Sequence, residues 1–385
     1  MEPKYMQEKD YTEYLKIIDS TFTPSTATQS EQQKAYKPLA QWLEKHTPPK
    51  LYKFRECNEN NISAFRNEQI WFATGAKMND DYDATLYSDN KGILADLHSL
   101  FDESGNLIFL HALKEGHRLP PALYETFGAQ SIENAKQMLS LVGEDGIKRI
   151  SLAIRLWAEE GFKEQFPFIT QSVQNVVKIS SFSERIGSPL MWGKYANNSS
   201  GFALAYDFRN GKYNECNQCK KLGKTCFDPK TNVLLPIVYR NKRINATEYA
   251  RYVMQQTFTQ RILSNVPATK ELYEQVLSTV TCSDTFMQTK IVISKFSDWD
   301  YEKEWRMTVN YNSPYYAIDQ TANIWKKPCA LYLGRKIKDT DELVLRNIAY
   351  KQHIPVYKMQ IDETSDDYDL IPIRQRNTSK DLIIK

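Results

Sequence analysis

Apolar and polar positions along this chain follow two periods, and the switches between them separate short strands from long helical stretches. An alternating run at Leu51-Tyr52-Lys53-Phe54-Arg55 reads as a strand, as do the short runs Ile70-Trp71-Phe72-Ala73-Thr74, 176–182, 201–207, 234–239, 290–296, 330–334 and 354–359. Helical periodicity predicts a turn over 61–67, a mostly helical block from about residue 98 to 175, a helix over 245–281 and a short helix after Asp341. Within the block, Pro120-Pro121, the glycines at 143 and 146, and Gly161 are expected interruptions. Strands scattered between helical inserts predict an α+β fold rather than regular βαβ repetition.

The segment 1–47 is polar around residues 21–34, so it reads as a loosely attached leader ending in a short helix from Pro38 to Trp42 and a stop at Pro48-Pro49. Residues 48–385 then read as one elaborated domain. A helical insertion occupies about 98–175, and a basic cysteine-containing insertion about 209–232.

Composition narrows this picture only a little. The 385 residues are 41% hydrophobic and 25% charged, an ordinary globular balance, and the formal charge of +3 demands no nucleic-acid partner. No basic region followed by an apolar run opens the chain, and no stretch is apolar enough for a membrane span. Six cysteines in a chain this long are no disulfide scaffold, so the expected compartment is the cytoplasm.

Candidate chemistry concentrates in Tyr301-Glu302-Lys303-Glu304-Trp305-Arg306. Read as a strand, this run places Glu302, Glu304 and Arg306 on one face. Two carboxylates so close repel each other where water is scarce, which suits them to general acid and base work or to a cationic transition state. Arg306 would orient Glu304. The same pattern also describes an exposed edge strand whose charges prevent aggregation.

Other polar and aromatic residues widen the candidate site: Tyr52, Lys53 and Arg55 on the first strand, Asn79, Asp80 and Asp83 after the second, and Trp192, Lys194 and Tyr195 in MWGKYANNSSGFALAYDF. Arg55 suits a diphosphate, while Trp192 and Tyr195 suit stacking on a base or nicotinamide, or serve as core.

LYKFR, IWFATGAKMNDDYD, SPLMWGKYANNSSGFALAYD and YEKEWR resemble the signatures of an uncharacterised bacterial family that typically reads YKYR, FSxPxxFNDPFE, WxHYAxxHxGxCxxFD and YExEWR. The departures are specific: Asp81-Tyr82 replace Pro-Phe, and Lys194 stands where that family favours histidine. The family in turn resembles ADP-ribosyltransferases. That resemblance implies a split, mixed or antiparallel β core with large helical insertions, and NAD as substrate. Matched by motif, Arg55 takes the early-strand role, Thr74 the middle one, and Glu302 with Glu304 the late Glu-x-Glu role. Tyr52, Asn79, Trp192 and Tyr195 complete the expected NAD site, with Arg306 beside the carboxylates. Phe72-Ala73-Thr74 departs from the usual Ser-Thr-Ser pattern.

Cys216, Cys219 and Cys226 form Cys-x2-Cys-x6-Cys, which would give three ligands to a structural zinc or leave three unconnected thiols. Residues 207–243 carry nine basic and three acidic side chains, a local excess that suits nucleic acid or a solvated surface. The leading expectation is an NAD-dependent ADP-ribosyltransferase acting as an intracellular toxin or antiviral-defence effector. It would modify a nucleic acid or protein, with a cognate antitoxin or immunity protein as a further partner. A metal-dependent nuclease using Asp80, Asp83, Glu302 and Glu304, or a non-catalytic nucleic-acid-binding protein, stands as the alternative.

Overall fold

The computed structural model describes residues 6–100, 103–117, 124, 128–209, 233–264, 280–310 and 323–376. Among these residues the strands are β1 (Leu51–Arg55), β2 (Gln69–Trp71), β3 (Ala73–Thr74), β4 (Val177–Ser183), β5 (Phe202–Tyr206), β6 (Val233–Pro236), β7 (Val238–Arg240), β8 (Ser294–Phe296), β9 (Glu304–Asn310), β10 (Asn323–Trp325), β11 (Ala330–Leu333), β12 (Val356–Ile361) and β13 (Leu370–Gln375). The main sheet runs β13-β12-β11-β5-β1-β4-β9-β6, with β3 added to β4. Its neighbours are antiparallel except the parallel pair β11 and β12. The fold is therefore mixed α+β with a mainly antiparallel sheet, and strands β2 with β10 and β7 with β8 form two small ribbons beside it.

The centre of the sheet is where the site forms. β9 pairs with one edge of β4 along its whole length, from Val177 to Ser183. On the opposite edge, β1 meets β4 in the single registered pair Tyr52 with Ser183, and β3 takes Lys178 and Ile179. The stretch 180–182 lies between those two pairings. Lys53 reaches into this opening: its Nζ donates to Ser180 Oγ at 2.8 Å and to the Ser181 carbonyl at 3.0 Å. A side chain thus satisfies backbone polarity that a strand would otherwise meet.

Two apolar layers flank the sheet. One contains Leu51, Phe182, Phe202, Leu204, Trp305 and Met307, and the other contains Tyr52, Trp192, Ala203, Ala205 and Tyr332. The alternation within β1 and β5 sends successive side chains to opposite layers, while β9 turns Trp305 and Met307 to the first layer and Glu304 and Arg306 to the other face.

The amino-terminal segment differs from its expected loose attachment. Helices span Glu8–Ser20 and Gln29–His46, and Tyr14, Ile18, Leu39 and Trp42 are buried in the first layer. The Tyr14 hydroxyl donates to the Pro236 carbonyl at 2.8 Å, while the Tyr11 hydroxyl accepts from Tyr239 N at 2.7 Å. Polar composition over 21–34 concealed a capping box in which Thr28 and Glu31 bond reciprocally, and that box starts the second helix well before Pro38.

Three further boundaries shift. The expected strand 70–74 divides at Phe72 into β2 and β3, which pair with different partners. Residues Met287–Val292 are helical, so only Ser294–Phe296 of the expected strand 290–296 extends. In the helical block one helix runs unbroken from Glu144 to Val176 through Gly161 and Pro167. A glycine inside a helix costs only about 1 kcal/mol relative to alanine, which so long a helix tolerates.

Candidate functional site

The YEKEWR run is not one strand. Ser297–Glu302 forms a 3-10 helix, Lys303 takes a left-handed conformation at φ 43°, and the strand begins only at Glu304. Glu302 and Glu304 nevertheless converge, because this turn folds both back toward Lys295 on β8. Lys295 Nζ donates to Glu302 Oε2 at 2.6 Å and to Glu304 Oε2 at 3.1 Å, and all three side chains are buried. The Tyr239 hydroxyl, from the strand paired with β8, accepts from Glu304 N at 2.8 Å and fixes where β9 starts.

Arg306 is wholly buried and each of its five N–H groups has an acceptor. Nε and Nη2 donate to Glu304, Nη1 and Nη2 form a fork with the Asp83 carboxylate at 2.7 and 2.9 Å, and Nη1 also bonds the Val292 carbonyl at 2.5 Å. A guanidinium so fully engaged has no donor left for a ligand. Its work is to hold Glu304, and Asp83 holds it in turn.

On the other side of Glu302 stands Tyr195, at the end of the helix Pro189–Tyr195. Its hydroxyl donates to Glu302 Oε1 and accepts from Asn79 Nδ2 at 3.0 Å. The loop that follows turns sharply through Asn197, Asn198 and Ser199, all at positive φ, where asparagine is tolerated better than most residues. Gly201 closes it against β1: a Cβ there would lie 2.2 Å from the Arg55 carbonyl.

These elements enclose a pocket with a volume of about 150 Å³, lined by Tyr52, Lys53, Asn79, Tyr195, Glu302 and Glu304 together with Phe54, Met78, Asp83, Ser181, Phe182, Ser183, Met191 and Lys295. It occupies the opening between β1 and β4. Drug-sized ligands fill pockets of roughly 300–1,000 Å³, so this one takes about a single ring.

The two carboxylates are tuned apart. Burial pushes the Glu302 carboxyl above its ordinary value, and Lys295 offsets only part of that shift. Burial acts on Glu304 as well, but Arg306 and Lys295 outweigh it and hold the carboxyl down at about 2. Glu302 is therefore the group of the pair that keeps a proton more readily, and Glu304 the one that stays ionised. Burial and the nearby Arg55 also push the Lys53 amine well below its usual range.

Of the residues expected from sequence, Tyr52, Asn79, Tyr195, Glu302 and Glu304 line one pocket, and Arg306 supports it from beneath. Arg55 does not line it: its Nη1 donates to Asn61 Oδ1 at 2.8 Å. Thr74 pairs with Lys178 outside the lining. Trp192 is fully buried, its Nε1 donates to the Ile186 carbonyl and its ring packs edge-on against Phe54, so it is core. Cys216, Cys219 and Cys226 lie outside the described residues. Cys57, Cys282 and Cys329 are free thiols. Among the described residues no group of His, Cys, Asp or Glu is arranged to hold a metal ion.

Lys295 is the member that sequence reasoning missed. Lys290 and Lys295 are both buried, and only the 3-10 helix that brings Glu302 and Glu304 to Lys295 distinguishes it from Lys290, which pairs with Asp284.

Residues 191–307 match the family model described as "Protein of unknown function (DUF2971)". That span carries Tyr195, Lys295, Glu302 and Glu304 of the lining, and Arg306 beneath them. Tyr52, Lys53, Asn79 and Asp83 come from the chain before it. No curated protein and no solved structure matches the chain. Among the described residues no helix is long and apolar enough to cross a membrane.

Proposed function

We propose that this pocket cleaves the glycosidic bond of NAD and transfers ADP-ribose to a nucleic acid or protein, in the service of an intracellular toxin or antiviral-defence effector. The observation that carries the reading is the convergence of Glu302 and Glu304 on Lys295 in a pocket of single-ring size, with their acidities driven in opposite directions.

Breaking the bond between nicotinamide and ribose develops positive charge on the sugar. Glu304, its carboxyl held down at about 2 by Arg306 and Lys295, faces that charge from a position fixed by Arg306 and Asp83. Nicotinamide leaves with the bonding electron pair, and an acceptor hydroxyl or amine forms the new bond to the anomeric carbon. Glu302 takes the acceptor's proton, a role that its raised pKa, and hence its greater basicity, suits. Tyr195, held by Asn79, keeps the Glu302 carboxylate turned into the pocket. Tyr52 and Phe54 line the pocket and offer apolar surface to the ring that enters.

The nuclease alternative fits less well. The Lys295 ammonium sits between Glu302 and Glu304 where a divalent cation would have to lie, and the Asp83 carboxylate is spent on the Arg306 fork. Purified protein given adenylate-labelled NAD and a cell extract should label a macromolecule, and Glu304→Gln should abolish that labelling. Labelling that survives the substitution would remove Glu304 from the reaction.

A further inference from the structure

A second pocket shares Lys295 with the first and has about twice its volume, about 310 Å³. Its walls come from the loop after β3, from Arg240 at the end of β7 and residues 241–244 after it, and from β8 with the 3-10 helix behind it. Two features set it apart from an ordinary surface hollow. Large rings are left open to solvent in it: Tyr82 is 67% exposed and Phe296 47%, with Trp299 beside them. A solvated charged face has no use for them, whereas a flat ligand does.

The second feature is the placement of positive charge. Arg243 lies over the ring of Tyr82 at 5.4 Å and that of Tyr87 at 5.6 Å. Its Nη2 donates to Thr85 Oγ1 and to the Leu86 carbonyl, each at 2.8 Å, which fixes the plane of the group without cancelling its charge. Lys242 is exposed at the same rim. Arg240 bonds Asp19 and Lys295 bonds the two glutamates, so Lys242 and Arg243 are the cations placed to meet a ligand. Asp80 also lines the pocket but turns its Oδ1 to the Tyr82 amide.

We propose that this second pocket is a nucleotide site, in which a base stacks on the exposed rings of Tyr82 and Phe296 while its phosphate meets Lys242 and Arg243. Rings and cations together match a base with its phosphate better than an acidic peptide, which supplies the charge without the flat faces. One nucleotide chemistry has two sources here. The first pocket holds about one ring, so the adenylate half of NAD must lie outside it; equally, an acceptor strand must bring a nucleotide to its mouth. The choice of NAD as one source rests on the transferase reading, whereas the site itself does not.

Equilibrium binding of AMP, of a short single-stranded RNA and of an acidic peptide to the full chain tests this, with Tyr82→Ala and Lys242→Glu as variants. Both positions are exposed, and thermal unfolding confirms that the variants fold. AMP or the RNA should bind, and each variant should weaken that binding by about tenfold, the scale of one lost stacking or phosphate contact. Weakened AMP binding with a raised KM for NAD assigns the site to the adenylate half; weakened RNA binding alone assigns it to the acceptor. Failure of both ligands to bind, unchanged affinity in both variants, or binding of the acidic peptide alone would overturn the proposal. Binding is read without turnover, so a protein that holds AMP or RNA here yet leaves NAD intact would overturn the transferase and keep this site.

Discussion

Lys295 Nζ donates to Glu302 Oε2 at 2.6 Å across a short 3-10 helix, with both side chains buried. The lysine also bonds Glu304, so it is the cation that lets two carboxylates share one pocket. Removing one partner from a buried ion pair costs about 3–5 kcal/mol, because the other charge is left uncompensated. Lys295→Met should therefore lower unfolding stability by about that amount in a urea titration. Unchanged stability would mean that the carboxylates do not depend on it.

The pair should make stability depend on pH in two opposed ways. Glu304 has a folded value of about 2, below that of an unfolded carboxyl, so its contribution is present at pH above about 4 and is lost as pH falls toward 2. Glu302 has a raised folded value, so its contribution is present in acid and is lost as pH rises through that value. Glu302→Gln imitates the protonated form. Its melting temperature should match or exceed that of the unaltered protein near neutral pH, with the difference shrinking in acid, while transfer falls by about 10²–10⁴-fold.

Tyr195→Phe separates the role of the hydroxyl from that of the ring. The hydroxyl's hydrogen bond pulls the Glu302 carboxyl down, so its loss should raise that group further. The acid limb of the profile of kcat/KM against pH should then move to higher pH, with little change on the alkaline side. A profile that keeps its shape would place Glu302 outside proton transfer.

Deleting residues 1–47 should unfold the protein rather than trim it. Tyr14, Ile18, Leu39 and Trp42 are buried against the sheet, and burial of each such side chain is worth roughly 1.5–3 kcal/mol. Circular dichroism of the truncated chain should show loss of cooperative melting.

Much of the sheet was legible because a strand buried on both faces reads as a short, nearly continuous apolar run, as in 202–206, while 51–55 keeps an alternating pattern. The pattern failed where local and tertiary preferences parted. Glu302 and Glu304 look like one strand face in sequence, but Lys303 turns left-handed between them, and their convergence depends on Lys295 instead. Trp192 and Tyr195 had the same two readings, and only burial distinguishes the core indole from the pocket phenol. Asp83 and Arg306 are 223 residues apart, and no spacing rule joins them.

Release of nicotinamide from NAD by the purified chain, with label transfer followed in parallel, tests the central claim most directly. Nicotinamide should appear in step with labelled acceptor in the unaltered protein, and both should vanish in Glu304→Gln while its fold is retained. Folded protein that releases no nicotinamide in the presence of a cell extract, or a Glu304→Gln variant that releases it at the original rate, would contradict the account.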